Sequence, residues 1–129
     1  MPAIAMAHDE DPAKVLLDQV GDLSGIEVYN NQVLVAIYMR PDKTKSGIHI
    51  GPGTQREDEY QGKAMLILKL GPNAFASDGK WFTDGGPKVG DWIVARPGDT
   101  WQLSLNKAKC RMMNDTAVRM KIPSPDLIW

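Results

Sequence analysis

The feature that most constrains this chain is a succession of short apolar runs separated by glycine, proline and asparagine. The runs are Gln32–Tyr38, Lys63–Leu70, Asp91–Ala95, Trp101–Leu105, Lys109–Met113 and Val118–Ile122. Runs of this length that are rich in β-branched and aromatic residues, and bounded by turn formers, are typical of strands. Many short strands joined by Gly/Pro turns pack as a small barrel or sandwich. The sequence therefore predicts an all-β domain.

Length, charge and cysteine content narrow the class of protein. A chain of 129 residues is sized for one domain. A net charge of −1 provides no field that attracts phosphates, so we expect no nucleic-acid partner. Cys110 is the only cysteine, which excludes an internal disulfide and suits a reducing compartment. Met1–Ala7 is too short to span a membrane and lacks the basic start of a signal peptide, so we expect a soluble protein of intracellular origin with no membrane partner.

Residues 1–25 differ from the rest because they lack strand patterns. Asp11 followed by Pro12 is a helix-start signal, and Gly21 is a stop signal. Between them, one apolar stripe is formed by Val15, Leu16, Leu17 and Val20. The sequence predicts a short helix over Pro12–Val20, preceded by an arm of small apolar residues.

A long polar segment, residues 42–61, separates the first two strand runs. It is punctuated by glycine and proline and exceeds the usual ~4–6 residues of a connection. Long loops without secondary structure are usually functional or mobile, so we predict a partner-binding loop. The predicted contact residues are Gly47, Ile48, His49 and Ile50. Alternatively, Ile48 and Ile50 pack on the domain as an edge strand, and His49 is a solvated loop residue.

Four motifs in order resemble the GroES-like (chaperonin-10) co-chaperonin family. They are Gln32-Val33-Leu34-Val35, the 42–61 loop, Lys88-Val89-Gly90-Asp91-Trp92-Ile93-Val94, and the pattern from Trp101 to Ile122. The resemblance covers roughly residues 32–122. It implies a small β-barrel with a roof hairpin over residues 70–88 and a mobile loop that docks on a chaperonin ring. His49 departs from the aliphatic residue that is usual in the family.

The resemblance divides the chain into an arm and short helix (1–25), a GroES-like barrel (26–122) and a tail (123–129). The arm, the segment Gly25–Val33 and the Trp-ended tail resemble GroES-like proteins encoded in tailed-phage and prophage genomes. This implies a virion protein. We therefore expect further partner contacts from Ile4 and Met6 in the arm and from Trp129 in the tail.

The loop is expected to work in many copies. Two fully buried isoleucines are worth roughly 3–6 kcal/mol per subunit. Ordering the loop costs about 1 kcal/mol or more per residue, so a single copy would bind weakly. Copies that engage together would bind usefully because each later contact is intramolecular. We expect self-association.

The sequence offers no clear catalytic motif. Gly51-Pro52-Gly53-Thr54 lacks the Gly-Lys-Ser/Thr end of a phosphate loop. His8 lies in an acidic cluster that is more typical of a solvated helix start than of a metal site, and Cys110 falls in a strand where core packing is expected. The tryptophans could form a ligand surface, although barrel packing and subunit contacts explain them more simply. We expect no enzymatic activity, cofactor or metal.

Two functions remain. The first is a decoration or stabilising subunit bound in many copies to a phage-type capsid. Its partners would be the major capsid protein or other virion proteins, and it would be found in the virion after synthesis in the host cytoplasm. The alternative is a heptameric co-chaperonin lid in the cytoplasm that docks on a GroEL-type ring through the 42–61 loop and assists protein folding, including that of capsid protein.

Overall fold

A computed structural model describes residues 11–39, 62–76, 86–106 and 108–128. These ranges contain one helix, α1 (Pro12–Val20), and the strands β1 (Gln32–Ile37), β2 (Ala64–Leu70), β3 (Trp92–Ala95), β4 (Trp101–Leu105), β5 (Ala108–Asn114) and β6 (Val118–Ile122). Short 3₁₀ helices occupy Pro97–Asp99, Asp115–Ala117 and Pro125–Ile128. The predicted helix and the predicted strands are confirmed, and every strand boundary agrees to within one residue.

The strands form one antiparallel sheet of six, in the order β4-β5-β1-β2-β3-β6. Central strand β1 pairs with β2 on one side and with β5 on the other. Register shifts at Leu34/Val35 and Val94/Ala95 mark irregularities of the kind that bend and twist a strand.

The mostly-β architecture is confirmed, but the expected closed barrel is not. Strands β4 and β6 lie at opposite ends of the strand order and do not pair with each other in the described part of the chain. The sheet is therefore open there. The predicted roof hairpin over residues 70–88 falls mainly on residues 77–85, which lie outside the described residues.

Helix α1 begins after Asp11 and ends before Gly21, the residues that predict its two ends. The carboxylate of Asp11 accepts a hydrogen bond from the backbone N–H of Ala13 at 3.2 Å, and Pro12 occupies the first turn. Gly21 ends the helix at φ +72°, a left-handed conformation that glycine adopts without a steric penalty. Leu16 and Val20 on the inner side are buried against the sheet.

Both faces of the sheet are buried over its central strands, β1 and β2. The helix-side cluster comprises Leu16, Val20, Leu34, Ala36, Tyr38, Ala64, Leu66, Leu68, Trp92, Ala108, Cys110 and Ile122. The turn-side cluster comprises Val33, Val35, Met65, Ile67, Phe75, Ile93, Ala95, Met113 and Ala117. Because successive side chains of a strand point to opposite faces, burial of both faces requires the continuous apolar runs seen in β1 and β2.

The core residues predicted from the strand patterns are mostly buried, as expected. Five are fully buried: Val33, Val35, Ile37, Leu66 and Ile93. The remaining three are half-buried: Val94, Met112 and Val118.

The turn-side face is closed by a turn held through a buried carboxylate. Asp115 accepts hydrogen bonds from the backbone N–H of Phe75 at 2.9 Å and from the Asn31 side chain at 3.2 Å. Gly71, at the start of this turn, leaves no room for a side chain, because a Cβ there would lie 2.3 Å from the carbonyl oxygen of Asn30. The residues after β2 are thus fixed to the end of the central ladder at which β1 begins and β5 ends.

We predict that Leu16→Ala lowers the free energy of unfolding by about 2–4 kcal/mol, because it leaves a cavity in the helix-side cluster. The matched control is Leu17→Ala in the same helix, where the side chain is 45% exposed. That change should cost less than about 0.5 kcal/mol. Urea unfolding of both variants measures the difference. Equal effects would show that α1 does not pack on the sheet in solution.

Candidate functional site

The predicted binding loop connects two neighbouring strands, and its base is the candidate site that the structure describes. Ile37 of β1 pairs with Met65 of β2, and the Tyr38 N–H donates to the carbonyl of Ala64 at 3.0 Å. The two ends of the segment between β1 and β2 are therefore held side by side. We call this segment, residues 38–63, the connector.

The predicted contact residues themselves lie outside the described residues. This applies to Gly47, Ile48, His49 and Ile50 in the connector, to Ile4 and Met6 in the arm, and to Trp129 in the tail. The structure neither brings them together nor separates them.

A buried arginine holds the second end of the connector. Arg111 pairs with Val35 in the β1–β5 ladder and is fully buried. Its Nη1 donates to the carbonyl oxygen of Gly62 at 2.5 Å. Burial lowers the pKa of the Arg111 guanidinium, although arginine remains protonated near neutral pH. A charged group inside the domain thus fixes the backbone where the connector enters β2.

The C-terminal segment holds the first end of the connector. The hydroxyl of Tyr38 donates to Oδ1 of Asp126 at 2.5 Å. The Tyr38 ring lies edge-on to Trp92, with ring centroids 5.8 Å apart and an interplanar angle of 82°. Asp126 belongs to the 3₁₀ helix Pro125–Ile128, whose first residue is buried. The tail therefore packs at the base of the connector.

A groove between β6 and the residues Phe75, Gly86 and Pro87 is the second candidate surface. It encloses about 320 Å³ and is lined by Phe75, Gly86, Pro87, Val118, Arg119, Met120 and Lys121. Met120 is 49% exposed. The cations beside it form long, exposed ion pairs: Arg119 with Asp99 at 3.5 Å and Lys121 with Asp91 at 4.0 Å. Such pairs contribute little to stability, so both cations can be engaged by another anion.

Cys110 is a core residue, as expected from its place in a strand. Its side chain is fully buried, and burial raises the pKa of the thiol to about 11. Because the thiolate is the nucleophilic form, the thiol is unreactive near neutral pH.

Within residues 11–39, 62–76, 86–106 and 108–128, no group of three or more His, Cys, Asp or Glu side chains is placed to hold a metal ion. No helix in this part of the chain is long and apolar enough to cross a membrane. No protein-family model matches the chain, and no curated protein matches it. The assignment of function therefore depends on the geometry and on the sequence motifs.

The groups that hold the connector are not among the site residues predicted from the sequence. A burial role for Arg111 could have been predicted, because it is the one charged residue in the otherwise apolar run Cys110–Met113. The contact between Tyr38 and Asp126 joins residues 88 positions apart, and no local pattern indicates it.

We predict that Tyr38→Phe lowers the free energy of unfolding by about 1–2 kcal/mol, because a half-buried carboxylate loses a hydrogen bond. The matched control is Tyr29→Phe, which removes a similar bond to Glu27 at an exposed site and should change nothing measurable. Combining Tyr38→Phe with Asp126→Ala in a double-mutant cycle should give a coupling energy above about 0.5 kcal/mol. Additive effects would mean that the contact is not formed in solution.

The raised thiol pKa predicts a pH dependence of stability. The ordinary value is 9.0 and the folded value is about 11, so an unfolded chain ionises Cys110 before the folded one does. Stability should therefore fall as the pH rises from 9.0 to about 11. Urea unfolding at several pH values should show a steeper decline for the wild type than for Cys110→Ala. Identical slopes would contradict the burial of this thiol.

Proposed function

We propose that this protein is a non-catalytic structural subunit with a GroES-like fold, bound in many copies to a phage-type capsid. The observation that carries the proposal is the N-terminal segment, residues 12–28, which covers one face of the sheet and is an addition to the GroES-like pattern.

The GroES-like assignment is supported by the place of the motifs in the sheet. Gln32-Val33-Leu34-Val35 forms the start of central strand β1, and the Gly90-Asp91 motif directly precedes β3. The connector, which contains the second motif, joins β1 to β2. The strands that carry the first and third motifs, β1 and β3, lie on either side of β2 in the same sheet.

The N-terminal segment favours a capsid role over a lid. Residues 12–28 cover one face of the sheet, through buried Leu16 and Val20 and partly buried Leu23, Ile26 and Val28. This addition, which the usual co-chaperonin lacks, leaves Val15 and Leu17 pointing outward on α1. The proposed partners are the major capsid protein or other virion proteins, contacted by the arm through Ile4 and Met6 and by the tail through Trp129.

The second candidate is a co-chaperonin, and a different observation favours it. Both ends of the connector are fixed, by Arg111 at Gly62 and by Asp126 at Tyr38. A loop that leaves from a rigid base loses less entropy on docking than one with free ends. In this role the subunits form a heptameric lid in which Ile48 and Ile50 dock on a GroEL-type ring.

We predict that deleting residues 1–10 abolishes attachment to the particle, whereas Ile48→Asp leaves it intact. The deletion stops before the Asp11 cap and the buried Leu16, so the domain stays folded. Attachment is measured by co-sedimentation of the tagged variants with purified virions, and folding by circular dichroism. The reverse pattern, in which Ile48→Asp alone abolishes binding to a chaperonin ring, would establish the co-chaperonin role. Virions that lack the protein altogether would overturn the first choice.

A further inference from the structure

We propose that edge strand β4 is a self-association surface, on which β4 of a second copy of this chain pairs in antiparallel register about Leu103. The two sheets join into one continuous sheet, and the two copies are related by a two-fold axis. This contact goes beyond the proposed function, because it forms between copies of the chain and requires no virion protein.

The first step is the state of the β4 edge. β4 pairs with β5 over its whole length, Trp101–Leu105, and with no other strand in the described part of the chain. Its register with β5 runs without a shift, whereas the pairing of the opposite edge strand, β6, is shifted at Val94/Ala95. β4 also contains no charged residue and no proline. Bulges, charges and prolines are the devices that protect edge strands, so β4 is open to an added strand.

The second step is the direction of the backbone groups. The Asp115 N–H donates to the carbonyl of Asn31 at 3.0 Å, one position beyond the β1–β5 ladder. Backbone groups of successive residues in a strand point to opposite neighbours, so the even-numbered residues of β5 turn theirs toward β4. Those residues pair with the odd-numbered residues of β4. The free edge therefore presents the N–H and C=O groups of Gln102 and Ser104.

The third step is the register. With Leu103 of the two copies opposite each other, Gln102 faces Ser104 and Trp101 faces Leu105. Gln102 and Ser104 then exchange both of their backbone N–H···O=C hydrogen bonds. The other two kinds of pair are the closer, non-hydrogen-bonded kind, in which side chains contact most directly. Because β4 is uncharged, no like charges of the two strands stand opposite each other.

The fourth step is apolar burial. Leu103, Leu105 and Met112 pack, partly buried, against the helix-side cluster. Trp101 pairs with Met112, so its side chain projects from the same face of the sheet, yet it is 59% exposed. In the proposed register each Trp101 packs on Leu105 of the other copy. Tryptophan is among the residues that contribute most to binding at interfaces, and two-fold symmetry supplies this contact twice.

The rival occupant of this edge is β6 of a second copy. That pairing sets Arg119 and Lys121 beside an uncharged strand, so the two cations gain no partner there. It is also a head-to-tail contact, which continues into open chains unless its rotation closes a ring. Self-pairing of β4 closes at two copies.

The test is disulfide trapping of full-length variants in which Cys110→Ala removes the native thiol, because Cys110 stands opposite Leu103 within one subunit. In the proposed register the two Leu103→Cys positions face each other with Cα atoms about 4.5 Å apart, within the range that a disulfide bridges. The matched control is Leu105→Cys, on the same face, where the two copies lie roughly 13 Å apart. After oxidation by oxidised glutathione, we expect at least ten-fold more disulfide-linked dimer for Leu103→Cys on a non-reducing gel.

A charge swap tests the facing pair without a thiol. Gln102 and Ser104 are both exposed, so the subunit should stay folded, as checked by circular dichroism. Gln102→Lys with Ser104→Lys, or Gln102→Glu with Ser104→Glu, sets like charges opposite each other and should weaken dimerisation at least ten-fold in sedimentation equilibrium. Mixing the lysine and glutamate variants should restore the dimer as a heterodimer.

Equal disulfide yields for Leu103→Cys and Leu105→Cys would overturn the proposal. So would a wild-type protein that stays monomeric at its highest soluble concentration, one that forms open chains, or charge variants that do not recover on mixing. Virion attachment is measured separately, so the loss of this contact leaves the proposed function standing, and the absence of the protein from virions leaves this contact standing.

Discussion

The rest of the structure depends on the hydrogen-bonded ladder that places β1 between β2 and β5. Strand β1 is paired on both edges and covered on both faces. Each residue from Val33 to Ile37 is therefore at most 2% exposed to solvent. A strand in this position must be apolar at every residue, since any polar side chain would need a partner inside the domain. The polar residues sit at its two ends, Gln32 and Tyr38, and each makes a side-chain hydrogen bond, to Asn114 and Asp126 respectively.

The same ladder brings distant parts of the chain to one end of the sheet. Tyr38 follows β1, Gly62 precedes β2, and the C-terminal 3₁₀ helix packs beside β2 and bonds to Tyr38. Two interactions fix this region: the bond from Arg111 to Gly62 and the bond from Tyr38 to Asp126. A buried guanidinium is costly to desolvate, and the hydrogen bond from Arg111 to the Gly62 carbonyl offsets part of that cost. The two bonds therefore fix the described residues at either end of the connector, Tyr38 and Gly62.

The local elements could be predicted from the sequence because each has a local cause. The Asp11 cap and Pro12 fix the start of α1, and the β-branched runs fix the strands. Strand order and barrel closure could not be predicted, because they depend on which edges meet after folding, and the periodicity of one strand carries no information about its neighbour. The same holds for the site: a hydrogen bond from Tyr38 to Asp126, across 88 positions, has no signature in either segment.

The two edges of the sheet differ in a way that bears on assembly. If two copies paired through β6 in antiparallel register about Met120, Arg119 of one would face Lys121 of the other, and like charges directly opposite destabilise a strand pair. Charged edge residues are a common protection against edge-to-edge aggregation. The cations therefore disfavour self-pairing of β6. Edge strand β4 has exposed Trp101 and no charged residue, so it lacks this protection. In the part of the chain that the structure describes, charge therefore guards one edge strand against self-pairing and not the other.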